Sequence, residues 1–291
     1  MQTFVPWPDH AESARSLDQA RLGKQRVEAL QVLRAITLPA YGWQSHPAIA
    51  MWRGYRPALT AYSLAVTDEW IAQGHADTVR AQIAEFAPGV EAGTAGLELP
   101  AWWGDEAVHL SHRSKLVQKD PEHYRGVFPG TPEDLDYAWP PADPEAPRPT
   151  DDDALAVDHA WVVRAPSATA REGWLASGVV TLGESSPRGR TGTAWQHQLE
   201  AFGALPDGAA LLVPDADGSA FVRGTVTSPV VAALDDERAP VLLRHVELDG
   251  ELLRSDLPDA ALAQDPRSVF PLALRTRAAA DVEGRRARPG R

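Results

Sequence analysis

Cysteine is absent from all 291 residues. That removes a disulfide framework, a thiol nucleophile, a cysteine-built zinc site and an iron–sulfur cluster. No run of about 18 apolar residues occurs, so no membrane-spanning helix and no membrane partner are expected. The opening MQTFVPWPDH lacks the basic and apolar regions of a secretory signal, and the chain is read as cytoplasmic. The patterns G-x-S-x-G, G-x-x-x-x-G-K-[ST] and G-x-G-x-x-G are missing, which leaves nucleophile-elbow hydrolases, P-loop enzymes and dinucleotide enzymes without their mechanical parts. No cofactor and no obligate protein partner are expected. Net positive charge is missing as well: 28 Lys and Arg stand against 40 Asp and Glu, a balance of −12. Such a chain does not coat nucleic acid by bulk electrostatics, because nonspecific affinity comes from neutralised phosphates.

What is present suits two ordinary globular domains, with 44% hydrophobic and 23% charged residues. The stretch AWPPADPEAPRPTDDDALA, residues 138–156, is rich in proline and acid without apolar periodicity and reads as a stiff, extended linker. It divides the chain into a first domain over 1–140, a linker over 141–156, a second domain over 157–278 and a disordered tail over 279–291. The first domain reads as a compact all-α domain. Val27, Leu30, Leu33 and Ile36 mark one stripe of a helix from about Gly23 to Thr37. His46-Pro47 and Arg56-Pro57 look like helix starts. The latter is followed by Leu59, Tyr62, Val66 and Trp70 on one face and stopped by Gly74. Asp77 is expected to cap a helix reaching Phe86, and Asp105 to Lys119 to form another. The second domain reads as α+β, a small barrel or curved sheet with short strands at Ala160–Arg164, Val179–Leu182, Ala209–Val213, Phe221–Val226 and Val241–Leu248.

Charge is unevenly distributed. Arg15, Arg21, Lys24, Arg26 and Arg34 face only Asp18 and Glu28 in the same stretch, and Arg113, Lys115, Lys119 and Arg125 form a second basic cluster. Local stripes of this kind can contact DNA on an acidic chain. Arg21, Lys24 and Glu28 fall at steps of three and four and share one helical face, which Gln31 continues. A carboxylate flanked by cations there suits two readings. One is stabilisation of a cationic sugar as a base departs, with the cations on phosphates; the other is a solvated ion pair. His109, His112 and Arg113 are candidate phosphate contacts, while His46 before Pro47 suits a phosphate contact or a helix cap. These histidines and His123 have no acidic partner at metal-ligand spacing, so no metal centre is expected. Trp7, Trp43, Trp52, Trp102 and Trp103 are either core residues or include a wedge that fills the gap left by a flipped nucleotide.

Three stretches, LDQARLGKQRVEAL (Leu17 to Leu30), HPAIAMWRGYRPALTAYSLAVTDEWIAQG (His46 to Gly74) and AVHLSHRSKLVQKDPEHYR (Ala107 to Arg125), resemble in this order the pyrimidine-dimer glycosylase (endonuclease V-like) family. The third carries SHxxxL, a basic residue, and a K-x-P-x-x-Y pattern with one inserted residue, ending on Tyr124, which joins the candidate DNA contacts. The resemblance implies a compact helical domain with the chain's N-terminus in the active site. There an α-amino group attacks the sugar C1′, an imine forms, and a glutamate on the first long helix assists. Carried onto this chain, the glutamate is Glu28 and the phosphate-binding arginine is Arg26 or Arg21; the family's R-E pair reads here as Arg26-Val27-Glu28. The amine would be that of Met1, because methionine is usually removed only before a small residue and Gln2 is bulky. An α-amine is the least basic aliphatic amine of a chain and is partly neutral near physiological pH. Lys24 is a rival nucleophile, and water activated by Glu28 is a third route that leaves an abasic site uncut.

The stretches HAWVVRAPSATAREGWLASGVVTLG (His159 to Gly183), WQHQLEAFGALPDGAALLVP (Trp195 to Pro214), FVRGTVTSP and HVELDGELLRSDL resemble the modified-base-reading domain that precedes Mrr-like restriction nucleases, related to the PUA and EVE barrels. The resemblance implies a flipped base held in an aromatic cage, with Trp161, Arg164, Trp174, Trp195 and His197 as its candidates. That family's "SL" and aromatic tail correspond here to Arg267-Ser268-Val269-Phe270. Taken together, the expectation is a DNA glycosylase with or without abasic lyase activity, acting on double-stranded DNA with a damaged or modified pyrimidine that the second domain helps to recognise. The alternative is a non-catalytic protein that binds modified DNA or RNA.

Overall fold

The computed structural model describes residues 1–94, 96–183, 192–235 and 238–275. The expected tail, 279–291, lies outside them. The chain forms two compact units, Met1–Pro149 and Thr150–Arg291.

The first unit is helical, with α1 (His10–Arg15), α2 (Gln19–Thr37), α3 (Pro47–Ala50), α4 (Arg56–Ala72), α5 (Arg80–Ala84), α6 (Pro88–Glu91), α7 (Glu106–Lys119) and α8 (Pro121–Val127). Side chains set the starts: Asp9, Asp18, Asp105 and Asp120 each accept a backbone N–H of the first turn that follows. Helix α4 packs against α1 and α2 and buries Leu59, Tyr62 and Val66 together with Thr60, Ser63 and Thr67. The three hydroxyls are tolerated inside because each donates to the carbonyl four residues back, at 2.6–2.8 Å. Gly74, at φ +87°, follows the helix end.

Two expectations need correction. On α2 the buried residues are Leu22, Gln25, Ala29, Leu30, Val32, Leu33, Ala35 and Thr37, whereas Val27 is exposed. A constant three-residue step drifts about 60° per step around a helix of 3.6 residues per turn, so the buried stripe alternates threes and fours. The helix expected from Asp77 to Phe86 is only Arg80–Ala84, although the Asp77 carboxylate accepts from the Val79 and Arg80 amides, at 2.8 and 2.7 Å.

The proline-rich stretch is not a free tether. Arg148 donates to Ser45 Oγ at 2.9 Å, and Ala146 lies against Gly54 in the first unit. The last residues of the stretch form α9 (Asp152–Leu155) and belong to the second unit, where Arg267 pairs with Asp151 at 2.6 Å.

Among the described residues the second unit adds α10 (Ala168–Ser177), α11 (Thr193–Gly203) and seven strands: β1 (His159–Val163), β2 (Val179–Gly183), β3 (Ala210–Pro214), β4 (Ala220–Val226), β5 (Val231–Leu234), β6 (Pro240–Leu253) and β7 (Val269–Ala273). They make a curled sheet in the order β2-β6-β4-β3-β1-β7, with β5 also on β6. β1 and β3 are parallel, and the other pairs are antiparallel. Its core joins Val163, Trp174, Trp195, Phe202, Leu211 and Val226.

Gly224 sits where the β4–β6 register shifts. A Cβ there would lie 2.5 Å from Val246 Cγ1 and 2.9 Å from the Glu247 carbonyl. Gly173, inside α10, faces open space. Gly224→Ala should lower the stability of the second unit by about 1–3 kcal/mol, and Gly173→Ala should raise it by up to about 1 kcal/mol. Calorimetric midpoints that moved in the opposite directions would contradict this packing.

Candidate active site at the N-terminus

Residues 2 to 6 run as a buried, non-helical segment through the helical unit. Their backbone polar groups have no strand to pair with, and side chains take a strand's place. From α2, Gln25 accepts the Phe4 N–H at 3.0 Å and donates to the Gln2 carbonyl at 2.7 Å. From α4, the Tyr62 hydroxyl donates to the Phe4 carbonyl at 2.7 Å. Trp52, just after α3, donates to Thr3 Oγ1 at 2.8 Å.

From α7, His112 Nδ1 accepts the Val5 N–H at 3.1 Å, and His109 Nδ1 meets the Val5 carbonyl at 2.7 Å. Arg113 donates to the Pro6 carbonyl at 2.7 Å. The tautomers follow from the partners: Gly104 N–H donates to His109 Nε2 at 3.1 Å, so the His109 proton sits on Nδ1. The His112 proton sits on Nε2, which is buried without a hydrogen-bond partner among the described residues. Burial, helped by neighbouring His109, pushes the His112 imidazole down to about 3. Burial also lowers His109.

This clamp delivers the chain's first residue to Glu28. The Met1 ammonium lies 3.6 Å from Glu28 Oε1, with side-chain exposures of 7% and 12%, and the Gln2 N–H donates to Glu28 Oε2 at 3.2 Å. Lys24 Nζ also lies 3.6 Å from Glu28 Oε1, but its side chain is 72% exposed. His46 borders the pair. Its Nδ1 accepts from Ala48 N–H at 3.1 Å as the cap of α3. Burial lowers its proton affinity and the terminal ammonium lowers it further, against the opposing pull of Glu28. A row of rings continues from it, His46 to Trp139 at 6.3 Å and Trp139 to Tyr137 at 4.9 Å, and Tyr137 lies 5.3 Å from buried His112.

The expected DNA contacts divide. His109, His112 and Arg113 are 1%, 0% and 6% exposed, so their work is to position the segment, and a phosphate does not reach them. Arg113 also pairs with Glu106. Tyr124 is fully buried and donates to Asp18; Arg21 pairs with Asp18 at 2.6 Å and lies over the Tyr124 ring. Arg26 pairs with Asp77 at 2.6 Å and stacks on Trp70. Lys115 holds Asp136 at 3.0 Å. Lys24 and Lys119 stand exposed.

In the second unit the five expected cage residues do not form one cage. Trp174 and Trp195 are each 4% exposed core residues, their indoles bound to Thr181 Oγ1 and the Gly183 carbonyl, both at 3.2 Å. Trp161 is half-buried against that core, and His197 is exposed on α11. The Arg164 guanidinium donates to the carbonyls of Ala263, Asp265 and Arg267 and lies over Phe270. A cavity of about 470 Å³ opens beside it, lined by Arg171, Pro214, Phe221 and Arg254 among others. A larger surface cleft of about 710 Å³, between His75 and Glu91, lies on α5 and α6 and includes none of the residues around the amine.

Sequence reading missed Gln25, Trp52, Tyr62 and the Tyr137–Trp139 pair as builders of this site. Gln25 carried a signal, since it is a polar residue set between Leu22 and Ala29 on the buried face of α2.

Two outcomes are expected. Gln25→Leu leaves the Phe4 N–H and the Gln2 carbonyl unpaired, and should cost about 1–3 kcal/mol per orphaned group while speeding amide exchange at Phe4; an unchanged exchange rate would contradict the clamp. His112 takes up a proton in the unfolded chain near pH 6.5 but in the fold only near pH 3. Its neutral form therefore contributes stability that is complete above about pH 6.5 and is lost as pH falls, by up to about 1.4 kcal/mol per pH unit. In His112→Asn the amide oxygen can still accept from Val5, and urea titrations across that window should show a shallower acid dependence.

Residues 1–82 match the family model of pyrimidine dimer DNA glycosylase. No curated protein and no solved structure matches the chain. The matched span is under a third of the 291 residues, yet it holds Met1, Gln25, Glu28, Trp52 and Tyr62. The part of this chain that builds the amine–carboxylate pair is thus similar to pyrimidine dimer DNA glycosylases.

Proposed function

We infer that the N-terminal unit excises a damaged or modified pyrimidine from double-stranded DNA, with the Met1 α-amine as nucleophile and Glu28 as the group that takes up and returns protons. The observation that carries this reading is the terminal amine held 3.6 Å from Glu28 Oε1 at the end of the clamped segment, with the side chains of both residues largely buried. Lys24 is equally close, but its exposed side chain would have to be ordered during the reaction, whereas the fold has already ordered the amine.

The neutral amine attacks C1′. The electron pair of the glycosidic bond leaves with the base, and the new ammonium gives its proton to Glu28. As the sugar ring opens, Glu28 returns that proton to O4′ and the nitrogen lone pair forms the C1′=N bond of a protonated imine. Loss of a C2′ proton from that imine would expel the 3′ phosphate, which is the lyase step. Before the amine bonds, the Glu28 carboxylate also stabilises the positive charge that develops on the sugar. Exposed Lys24 and Lys119 are available to phosphates. The curled sheet of the second unit and its arginine-rimmed cavity support a role in reading the modified base.

Glu28→Gln keeps an acceptor for the Gln2 N–H and removes the base. Base release from duplexes carrying cyclobutane dimers or modified pyrimidines should fall at least about 100-fold, with DNA affinity retained. A glycine added before Met1 displaces the amine and should have the same effect. Release at the wild-type rate in both variants would overturn the mechanism. Tight binding by the wild-type protein without release from any duplex would make it a binding protein.

A further inference from the structure

Trp43 takes no part in the chemistry above, and its conformation is unusual. It is 67% exposed, more than any other large apolar side chain among the described residues. Its φ is +68°, and the only other non-glycine residue described at positive φ is Arg238. A bulky side chain is disfavoured in that region, so the surrounding structure must impose it. The flanking chain does so: His46 N–H donates to the Trp43 carbonyl at 2.8 Å. Gln44 donates to the Leu38 and Pro39 carbonyls at 3.2 and 3.0 Å. Buried Arg53 donates to the Gln44 carbonyl at 2.6 Å. The backbone on each side is tied down while the indole projects into solvent. Its ring centroid lies 6.2 Å from that of His46, the residue whose proton affinity registers both the Met1 amine and Glu28. Rings also link it to the clamp, since His46 lies 6.3 Å from Trp139 and Trp139 lies 6.3 Å from His112, which holds Val5.

An amine that reaches C1′ inside a duplex must open the stack at the lesion on one strand or the other, and the vacated space favours a flat apolar group. We propose that Trp43 enters the DNA duplex beside the amine and occupies the stacking space of the extruded nucleotide. The proposal rests on the glycosylase reading. The backbone conformation imposed at Trp43 directs the side chain outward before DNA arrives.

The test compares wild type with Trp43→Gly and Trp43→Phe on two duplexes that carry a cyclobutane dimer: one intact, the other with a two-nucleotide gap opposite the dimer, where little stacking remains to be broken. Glycine suits φ +68°, so Trp43→Gly should melt no lower than wild type, whereas a merely structural tryptophan would lower the midpoint. On the intact duplex Trp43→Gly should lose at least about tenfold in kcat/KM, with Trp43→Phe in between, and on the gapped duplex all three should be alike. Wild-type activity of Trp43→Gly on the intact duplex, or equal losses on both substrates, would overturn the proposal. Absence of base release by wild type on either substrate would remove the glycosylase reading, and this proposal with it.

Discussion

The first unit depends on one constraint: a buried segment next to the chain terminus whose backbone must be hydrogen-bonded without a partner strand. An unpaired buried amide or carbonyl costs about 1–3 kcal/mol, and residues 2 to 6 would present several. Gln25, Tyr62, His109, His112 and Arg113 meet these groups one by one. Because the clamps come from α2, α4 and α7, the packing of these helices fixes where the amine lies. The site is thereby a product of the fold itself. It also explains why two histidines can be buried neutral on one helix: each offers the protonated or bare nitrogen that Val5 requires.

Charge follows the same logic. On an acidic chain, a basic count along the sequence overstates the cations available to a phosphate. Arg21, Arg26, Lys115 and Arg113 spend their charge on Asp18, Asp77, Asp136 and Glu106. What remains exposed on the expected stripes is small and includes Lys24 and Lys119. Under the proposed reading, DNA affinity built on few phosphate contacts leaves more of the recognition to the shape and stacking of the lesion itself.

Much of the helical unit was legible from capping residues and proline positions. Asp105, Arg56-Pro57 and Gly74 mark boundaries that local chemistry decides, and the structure has them there. The α2 stripe was misjudged at Val27 because a fixed three-residue step does not follow a helix face. His109, His112 and Arg113 resembled a polar surface face since their partners, Val5 and Pro6, lie more than 100 residues away in sequence. Strand β5 has exposed Val231 and Leu234 and little alternation, and β7 includes Pro271, so neither gave a clear strand signal. Trp174 and Trp195 illustrate the limit for aromatic residues, whose identity alone does not separate a core indole from a base-stacking one.

The most direct test of the account is to locate the covalent bond. The protein would be incubated with dimer-containing duplex and borohydride, which reduces an imine to a stable amine, and the trapped species digested and mapped by mass spectrometry. The account predicts the sugar remnant on the Met1 α-amine. A remnant on Lys24, or base loss with no trapped species, would contradict it.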